Sequence, residues 1–502
     1  MTVAAPRPVC ITGEIRELER LVRERQAQAR PECGSLMEKA GVAAAEYARE
    51  LLGDYGRNVL VLAGPGNNGG DAFEVATHLE RWFYRVELVF AGDEHQLSDD
   101  ALAGLRKWRE CGGSTYAAPP AALRPDLVVD GLFGIGLTRD LEGGYAELIA
   151  GINRLTGTKL ALDIASGINA DTGAIMGTAL RATHTITFIA LKPGLLTLDG
   201  PDYCGDVRVA DLGLDFSALP ASKGATTSSE LLRRALPPRP LNFHKGNAGS
   251  VGVLGGASGM VGAALLTGRA ALRLGAGKVF LGLLTDHPPY LDYAQPELML
   301  RTPRELLEAG MITIFAAGPG MGTAKSAEQL LREVLDANVP LVLDADALNL
   351  IAASKTLQGR LPKRSAPSVL TPHPAEAARL LGCNTTEVQA GRVKAALELA
   401  QRYRAIAVLK GNGSVVANPD GTWLINASGN PGMASAGMGD VLTGMIAALL
   451  AQGANARAAA AGAVWLHGAA GDALTSRQSG PIGISASEVI DAAPALLNST
   501  IG

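Results

Sequence analysis

Aromatic residues make up only 4% of this 502-residue chain, so few large rings are available to fill a core. The space falls to small aliphatics: 47% of residues are hydrophobic and 61 are glycine, a composition suited to close-packed α/β layers joined by short turns. Cysteine is scarce as well. Cys10, Cys33, Cys111, Cys204 and Cys383 are scattered, odd in number and never in a CxxC spacing. That argues against a disulfide framework or a zinc site and for a reduced, cytoplasmic setting. No basic run exceeds short pieces such as Arg233-Arg234, and 45 basic against 49 acidic residues give a net charge of −4. Nucleic-acid and membrane-surface binding are therefore disfavoured. The longest apolar helix candidate, Val441 to Ala456, is interrupted by Gly and Gln and is too short to span a bilayer. Residues 1–10 lack the basic and apolar regions of a signal peptide.

The length predicts two domains, each long enough to bury its own core. Residues 11–25 and 35–52 carry apolar positions at helical spacing, and strand-like runs follow at 58–63, 85–91, 126–131, 159–164, 184–190 and 207–211. Continuous apolar strands alternating with helices predict a parallel sheet covered on both faces. Between Asp215 and Pro240 the texture changes to Ser217, Pro220, Ser222, Thr226, Thr227 and then Pro237-Pro238-Arg239-Pro240, which reads as an interdomain connection with one short helix. A second α/β series follows, with strands near 250–255, 278–284, 312–317, 340–344, 368–371, 405–410 and 413–417, then two Ala-rich helices from Asp440 to Leu474.

The first series carries one constellation of polar strand ends. The run Val59-Leu60-Val61-Leu62 feeds Gly64-Pro65-Gly66-Asn67-Asn68-Gly69-Gly70-Asp71, a strand, a Gly-rich turn and then a helix. Such a turn offers backbone amides to an anion; a tight Asn-Gly turn with Asp71 as a helix cap is the plainer alternative. Asp130, followed by Gly134 and Gly136, ends another strand, and Asp163 with Ser166 ends a third. Ligands of open α/β sheets bind at this end of the strands. Asn68, Asp130 and Ser166 can supply hard oxygen ligands to a monovalent or divalent cation.

The second series has its own set. Gly437-Met438-Gly439-Asp440 opens a helix, where amides can receive a phosphoryl group and Asp440 can take a proton from an attacking hydroxyl; an N-capping Asp is the alternative. Lys410-Gly411-Asn412-Gly413-Ser414 joins two strands and offers a cation and amides to phosphate. His373, in Thr371-Pro372-His373-Pro374-Ala375-Glu376, is either a site group or a turn residue, and Gly318-Pro319-Gly320-Met321-Gly322 follows another strand. Gly275-Ala276-Gly277-Lys278-Val279 is not a P-loop, because Leu272 stands where its first Gly belongs and Val279 where Ser or Thr belongs.

Over most of residues 11–213 the chain resembles the NAD(P)H-hydrate epimerase family, through Ser35 to Gly41, the Gly64 to Asp71 loop, Asp130 to Gly136, Asp163 to Gly167 and Asn169 to Gly173. Ala72 and Ala165 depart from the family's usual Gly and Pro. From about 240 to 495 it resembles the ADP- or ATP-dependent NAD(P)H-hydrate dehydratases, through His244-Lys245-Gly246, Gly255 to Ala264, Ala271 to Gly277, Asp344 to Asn349, Thr371 to Glu376 and Asn430 to Asp440. The resemblance implies a two-domain α/β protein: a Rossmann-like α/β/α domain over 1–222 and a ribokinase-like domain over 223–502. It implies interconversion of the R and S hydrates of NADH and NADPH (NADHX and NADPHX), then ADP-dependent dehydration of the S epimer with release of AMP and phosphate.

The resemblance also implies site roles. It places K+ at Asn68, Asp130 and Ser166, and epimerase nucleotide contacts at Asn67, Asn68, Gly69, Gly70, Asp71, Gly134, Ile135, Gly136, Leu137, Thr138, Arg139, Asp140 and Asp163, with Asp163 the acid/base. In the second domain it places the hydrated dinucleotide at Ala263, Gly322, His373 and Asp440, and the ADP phosphates, with Mg2+, at Lys410, Gly411, Asn412, Gly413, Ser414 and Gly439. Asp440 is implied as the base for the substrate hydroxyl. The expected partners are these small molecules and further copies of the chain in a homo-oligomer. Two other readings stand beside it: a ribokinase-type small-molecule kinase, against which the His244-Lys245-Gly246 and Thr371 to Glu376 segments speak, and a binding protein with a degenerate first domain, against which Asn68, Asp130, Asp163 and Ser166 speak.

Overall fold

A computed structural model of the chain describes residues 5–28, 34–120, 124–215, 219–236, 238–308 and 310–501. Cys33, Ser217 and Pro237 lie outside the described residues. The chain divides into two compact units, Arg7–Gly224 and Ala225–Gly502.

The N-terminal unit is built on a seven-stranded, wholly parallel sheet. Its spatial order is Thr115–Tyr116, Arg85–Phe90, Asn58–Ala63, Leu127–Gly131, Thr158–Leu162, His184–Phe188, Asp206–Ala210. The chain runs outward from Asn58–Ala63 in one direction, then returns and builds outward in the other. Asn58–Ala63 and Leu127–Gly131 are therefore neighbours whose following segments diverge, the crevice at which open α/β sheets bind ligands. Both strands are buried almost throughout because helices cover the two faces. Helix Leu36–Leu52 starts with a capping box in which Ser35 and Glu38 satisfy each other's amides. A methyl at Gly41 would lie 2.3 Å from the Glu74 side chain of helix Asn67–Arg81, so the bare glycine lets these two helices touch.

The C-terminal unit has a sheet in the order Trp423–Ile425, Val415–Ala417, Ile406–Leu409, Ser368–Leu370, Leu341–Leu343, Ile314–Ala317, Ser250–Gly255, Lys278–Leu283, Met299–Arg301. These strands pair in parallel except where Ile406–Leu409, Val415–Ala417 and Trp423–Ile425 run antiparallel, each to the next. Its crevice lies between Ser250–Gly255 and Ile314–Ala317. Helix Met438–Ala451 is buried nearly all round and packs on helix Val261–Arg273, where Gly444 leaves no space for a methyl above the Thr267 carbonyl. The strands Thr115–Tyr116, Met299–Arg301 and Trp423–Ile425 and the helix Ala486–Ile501 are additions to the elements expected from sequence. No helix among the described residues is long and apolar enough to cross a membrane.

Candidate active sites

In the N-terminal unit the crevice gathers Asn68, Asp130, Asp163 and Ser166, from three separate segments. Asp130 ends its strand fully buried; its Oδ1 accepts from the Ser166 hydroxyl at 2.6 Å and its Oδ2 from the Ser166 amide at 2.8 Å. The Phe133 amide in turn donates to Ser166 Oγ at 2.9 Å, which ties the Gly131–Gly136 segment to the loop after Thr158–Leu162. Burial pushes the Asp130 carboxyl up to about 6, against the lowering influence of its bonds to Ser166 and Leu132. Asn68, in the first turn of helix Asn67–Arg81, is 8% exposed, and both its side-chain oxygen and its nitrogen are buried without a hydrogen-bond partner. A buried amide left so is costly unless a ligand completes it.

Asp163 follows the strand directly and holds a left-handed backbone, φ 66°. Its Oδ1 meets the ammonium of Lys192, a residue 1% exposed that also donates to Thr187 Oγ1 and the Phe188 carbonyl, both at 2.8 Å. Its Oδ2 faces the other way: a methyl on Gly134 would lie 3.4 Å from it and 3.3 Å from Asn68 Oδ1. The bare Gly134 backbone thus lies against both side chains. Asp71 stands near; burial first, then the charges of Asp163, Glu19 and Glu74, push its carboxyl well above the ordinary value. Asn67 is exposed and accepts from the Ser98 hydroxyl at 2.9 Å. Gly69 and Gly70 are buried, and their amides bond to the Gly66 carbonyl within the first helical turn. Beyond Gly134 and Ile135, Gly136, Thr138, Arg139 and Asp140 are exposed, whereas the Leu137 side chain is buried and only its backbone is available to a ligand.

The C-terminal unit assembles its site around Asp344, at the end of strand Leu341–Leu343. Asp344 Oδ1 accepts from Lys410 Nζ at 2.7 Å and Oδ2 from the Thr443 hydroxyl at 2.9 Å. Burial alone would lower the Lys410 ammonium, but the charges of Asp344 and Glu376 and the bond to Asp344 hold it above the ordinary lysine value. A methyl at Gly439 would lie 3.1 Å from Lys410 Nζ, so the turn before Asp440 runs directly past this cation. Gly437 opens that turn at φ 88°, and Asp440 lies in the first turn of helix Met438–Ala451. Its carboxyl is pushed up to about 7 by burial and by the charge of Asp344, with Lys410 opposing.

The residues expected from sequence to hold the dinucleotide lie on segments linked to Asp440, Asp346 and Lys410. The Thr267 hydroxyl donates to the Ala263 carbonyl at 3.0 Å and to the Asp440 carbonyl at 3.1 Å. The Gly322 amide donates to Asp346 Oδ2 at 2.8 Å, and a methyl on Gly320 would lie 3.3 Å from Ala263 Cβ. His373 caps helix Pro374–Leu381: its Nδ1 accepts from the Ala375 and Glu376 amides, and burial with the neighbouring Lys410 lowers its pKa. The Pro372 carbonyl accepts from the Lys410 amide at 2.9 Å, which sets His373 beside the Lys410–Ser414 turn. That turn closes on itself, Gly411 N donating to Ser414 Oγ at 3.2 Å and Ser414 Oγ to the Gly411 carbonyl at 3.0 Å.

Residues 251–495 match the family model described as NAD(P)H-hydrate dehydratase, and residues 33–194 the one described as YjeF-related protein N-terminus. The bifunctional NAD(P)H-hydrate repair enzyme of Escherichia coli K12 is 41% identical over 88% of this chain and 85% of its own length. That of Coxiella burnetii is 37% identical over 97% and 98%. The chain belongs to the bifunctional NAD(P)H-hydrate repair enzyme family. A solved ADP/ATP-dependent NAD(P)H-hydrate dehydratase from Bacillus subtilis, co-crystallised with ATP and Mg2+, superposes with TM-score 0.50 at 34% identity, covering 55% of this chain and 98% of that one. Two groups in these repair-family sites escaped the sequence reading. Lys192 lies 29 positions after Asp163, and nothing in the sequence marks the two as a pair. Asp344 was within a segment that carried the resemblance, though without a role of its own.

Proposed function

We infer that this chain repairs hydrated nicotinamide nucleotides in two steps: residues 1–222 epimerise the R and S hydrates, and residues 223–502 dehydrate the S epimer at the expense of ADP. The observation that carries most of this reading is the Asp440 carboxyl. Poised at about 7, it stands at a helix start whose preceding turn passes the Lys410 ammonium. A base in that range accepts a proton at neutral pH and yields it again.

The dehydration chemistry follows from those groups. The C6 hydroxyl of the hydrate attacks the terminal phosphorus of ADP while Asp440 takes its proton. The bond to the bridging oxygen breaks and AMP leaves. Lys410, held by Asp344, and the Gly439 amide stand where phosphoryl charge develops. Hydroxide is a poor leaving group and phosphate a good one. The ring nitrogen's lone pair therefore expels phosphate from C6, and loss of a C5 proton restores the ring double bond. Magnesium accompanying the nucleotide supplies charge neutralisation on its phosphates. Ala263, Gly322 and His373 line the dinucleotide side of this crevice, and 410–414 the phosphate side.

In the first domain Asp163 serves as the acid/base at C6. Its Oδ1 is fixed by Lys192, and its Oδ2 is turned toward Gly134 and Asn68, where the ring would lie. The residues 67–71 and 134–140 hold the nucleotide. The donors Asn68, Asp130 and Ser166 fit a potassium ion. All three are hard oxygens, and the buried Asn68 oxygen has no hydrogen-bond partner. When bound, potassium supplies a fixed positive charge that orders the loops ending in these residues. The whole reading is tested by supplying pure R hydrate of NADH with ADP. Recovery of NADH absorbance requires both activities, and recovery from the S hydrate but not the R hydrate would remove the epimerase half.

A further inference from the structure

Beneath the Lys410–Ser414 turn lies a charge that the chemistry above does not use. Arg392, the first residue of helix Arg392–Tyr403, is 2% exposed. Its Nη2 donates to three carbonyls of the adjoining strand and turn, Leu409 at 3.3 Å, Lys410 at 3.2 Å and Gly413 at 3.3 Å, and its Nη1 donates to Gln389 at 2.7 Å. No carboxylate pairs with it among the described residues, and its Nε is buried without a partner. Gly411, at φ 138°, lies so close that a methyl there would be 2.9 Å from Nη1 and Nη2. A buried guanidinium is expensive to desolvate and is ordinarily matched by an anion. Here one face is matched by carbonyl dipoles only, and the turn that stands over it is the one read as receiving nucleotide phosphates.

We propose that Arg392 is a positioning residue for the nucleotide: it draws the 409–413 carbonyls inward, fixing the turn, and backs the turn with a positive charge whose missing counter-ion is the polyphosphate. This rests on the reading that 410–414 receives the ADP phosphates. A planar five-donor fork suits the task, since one lysine ammonium cannot reach all four acceptors in this geometry.

The test measures KM and kcat for ADP and for the S hydrate, and calorimetric affinities for adenosine, AMP and ADP, in wild type, Arg392→Met and Arg392→Lys. In Arg392→Met we expect KM for ADP to rise about tenfold or more, the scale of losing bonds to a charged group, while KM for the hydrate changes less than about twofold. The affinity loss should grow from adenosine to AMP to ADP, and Arg392→Lys should fall between Met and wild type. An equal loss for adenosine, AMP and ADP and for the hydrate would mean a purely structural arginine and overturn the proposal. Unchanged ADP affinity in Arg392→Met, or a Lys variant no better than Met, would overturn it too. If Arg392→Met does not fold, the graded loss in the Lys variant decides alone. Wild-type protein that does not bind ADP defeats the phosphate-site reading itself, and is seen before any variant is compared.

Discussion

Replacing Asp440 by Asn separates what this carboxylate does for chemistry from what it costs the fold. The amide keeps the shape and removes the base. Loss of a general base lowers turnover by about 10²–10⁴-fold, so recovery of NADH from the S hydrate should fall in that range while calorimetric ADP affinity persists through the 410–414 turn. The stability effect runs the other way. Folding moves the Asp440 carboxyl from an ordinary 3.8 to about 7. Because the folded value is the higher one, the carboxyl is protonated in both states well below pH 4 and folding pays nothing there. The penalty grows as pH rises between those values and is constant above 7. Three pH units at ~1.4 kcal/mol each put it on the order of 4 kcal/mol at pH 8, shrinking to about 1 kcal/mol at pH 4.5. Asn bears no such penalty, so the ligand-free variant should be more stable than wild type at pH 8, and by much less at pH 4.5. Denaturant melts of both proteins at the two pH values measure this. In parallel, wild-type dehydration should fall about tenfold per pH unit below 7 as the base is protonated. A variant with near-normal turnover, or a stability gain equal at both pH values, would refute the assignment.

Three further outcomes follow from the geometry. Asp163→Ala should abolish interconversion of the R and S hydrates and leave ADP-dependent dehydration of the S hydrate intact; loss of both activities would point to misfolding. Asn68→Ala should remove the stimulation of epimerisation by potassium over sodium, because it deletes the buried side-chain oxygen that has no partner, and a potassium response equal to wild type would take Asn68 out of the cation site. Gly439→Ala puts a methyl 3.1 Å from Lys410 Nζ and should displace the ammonium from Asp344, lowering kcat of dehydration by about tenfold or more as phosphoryl stabilisation weakens; kinetics on the S hydrate with saturating ADP measure it, and an unchanged kcat would mean that Lys410 acts elsewhere.

The parallel strands were legible because they are continuous apolar runs between Gly-rich turns, and buried parallel strands have no polar face to confuse the reading. Trp423–Ile425 was not, being three residues long and set off by Asn418-Pro419-Asp420-Gly421, which looks only like a turn. Met299–Arg301 and Thr115–Tyr116 are edge strands as short or shorter, and nothing in their local pattern forces them into a sheet. Among site residues, those on Gly-rich strand ends announced themselves. Lys192 and Arg392 did not, because a basic residue in sequence reads as solvated surface. Each meets its partners only when the chain returns: Lys192 on the loop after His184–Phe188, Arg392 under a hairpin that starts more than a dozen residues later. His373 shows the converse. Its segment stood out, and the structure gives its Nδ1 the ordinary work of capping a helix.

The left-handed backbone at Asp163 restricts which letters the position can spell. A side chain there meets a steric penalty of about 1–2 kcal/mol that glycine escapes and that asparagine and aspartate bear most readily. Of those three residues one alone has a carboxylate. Glutamate, the exchange a chemist would try first to keep the acid, carries the right group on the wrong stem and meets the backbone penalty as well. A saturation library at this codon should therefore split along two axes that rarely coincide. Stability should be graded by how readily each residue takes the left-handed backbone and by the loss of the carboxylate that pairs with buried Lys192, and epimerase should recover with Asp alone. The torsion angle of one residue thereby adds a backbone cost to most exchanges at a position where, on the reading above, the carboxylate alone epimerises.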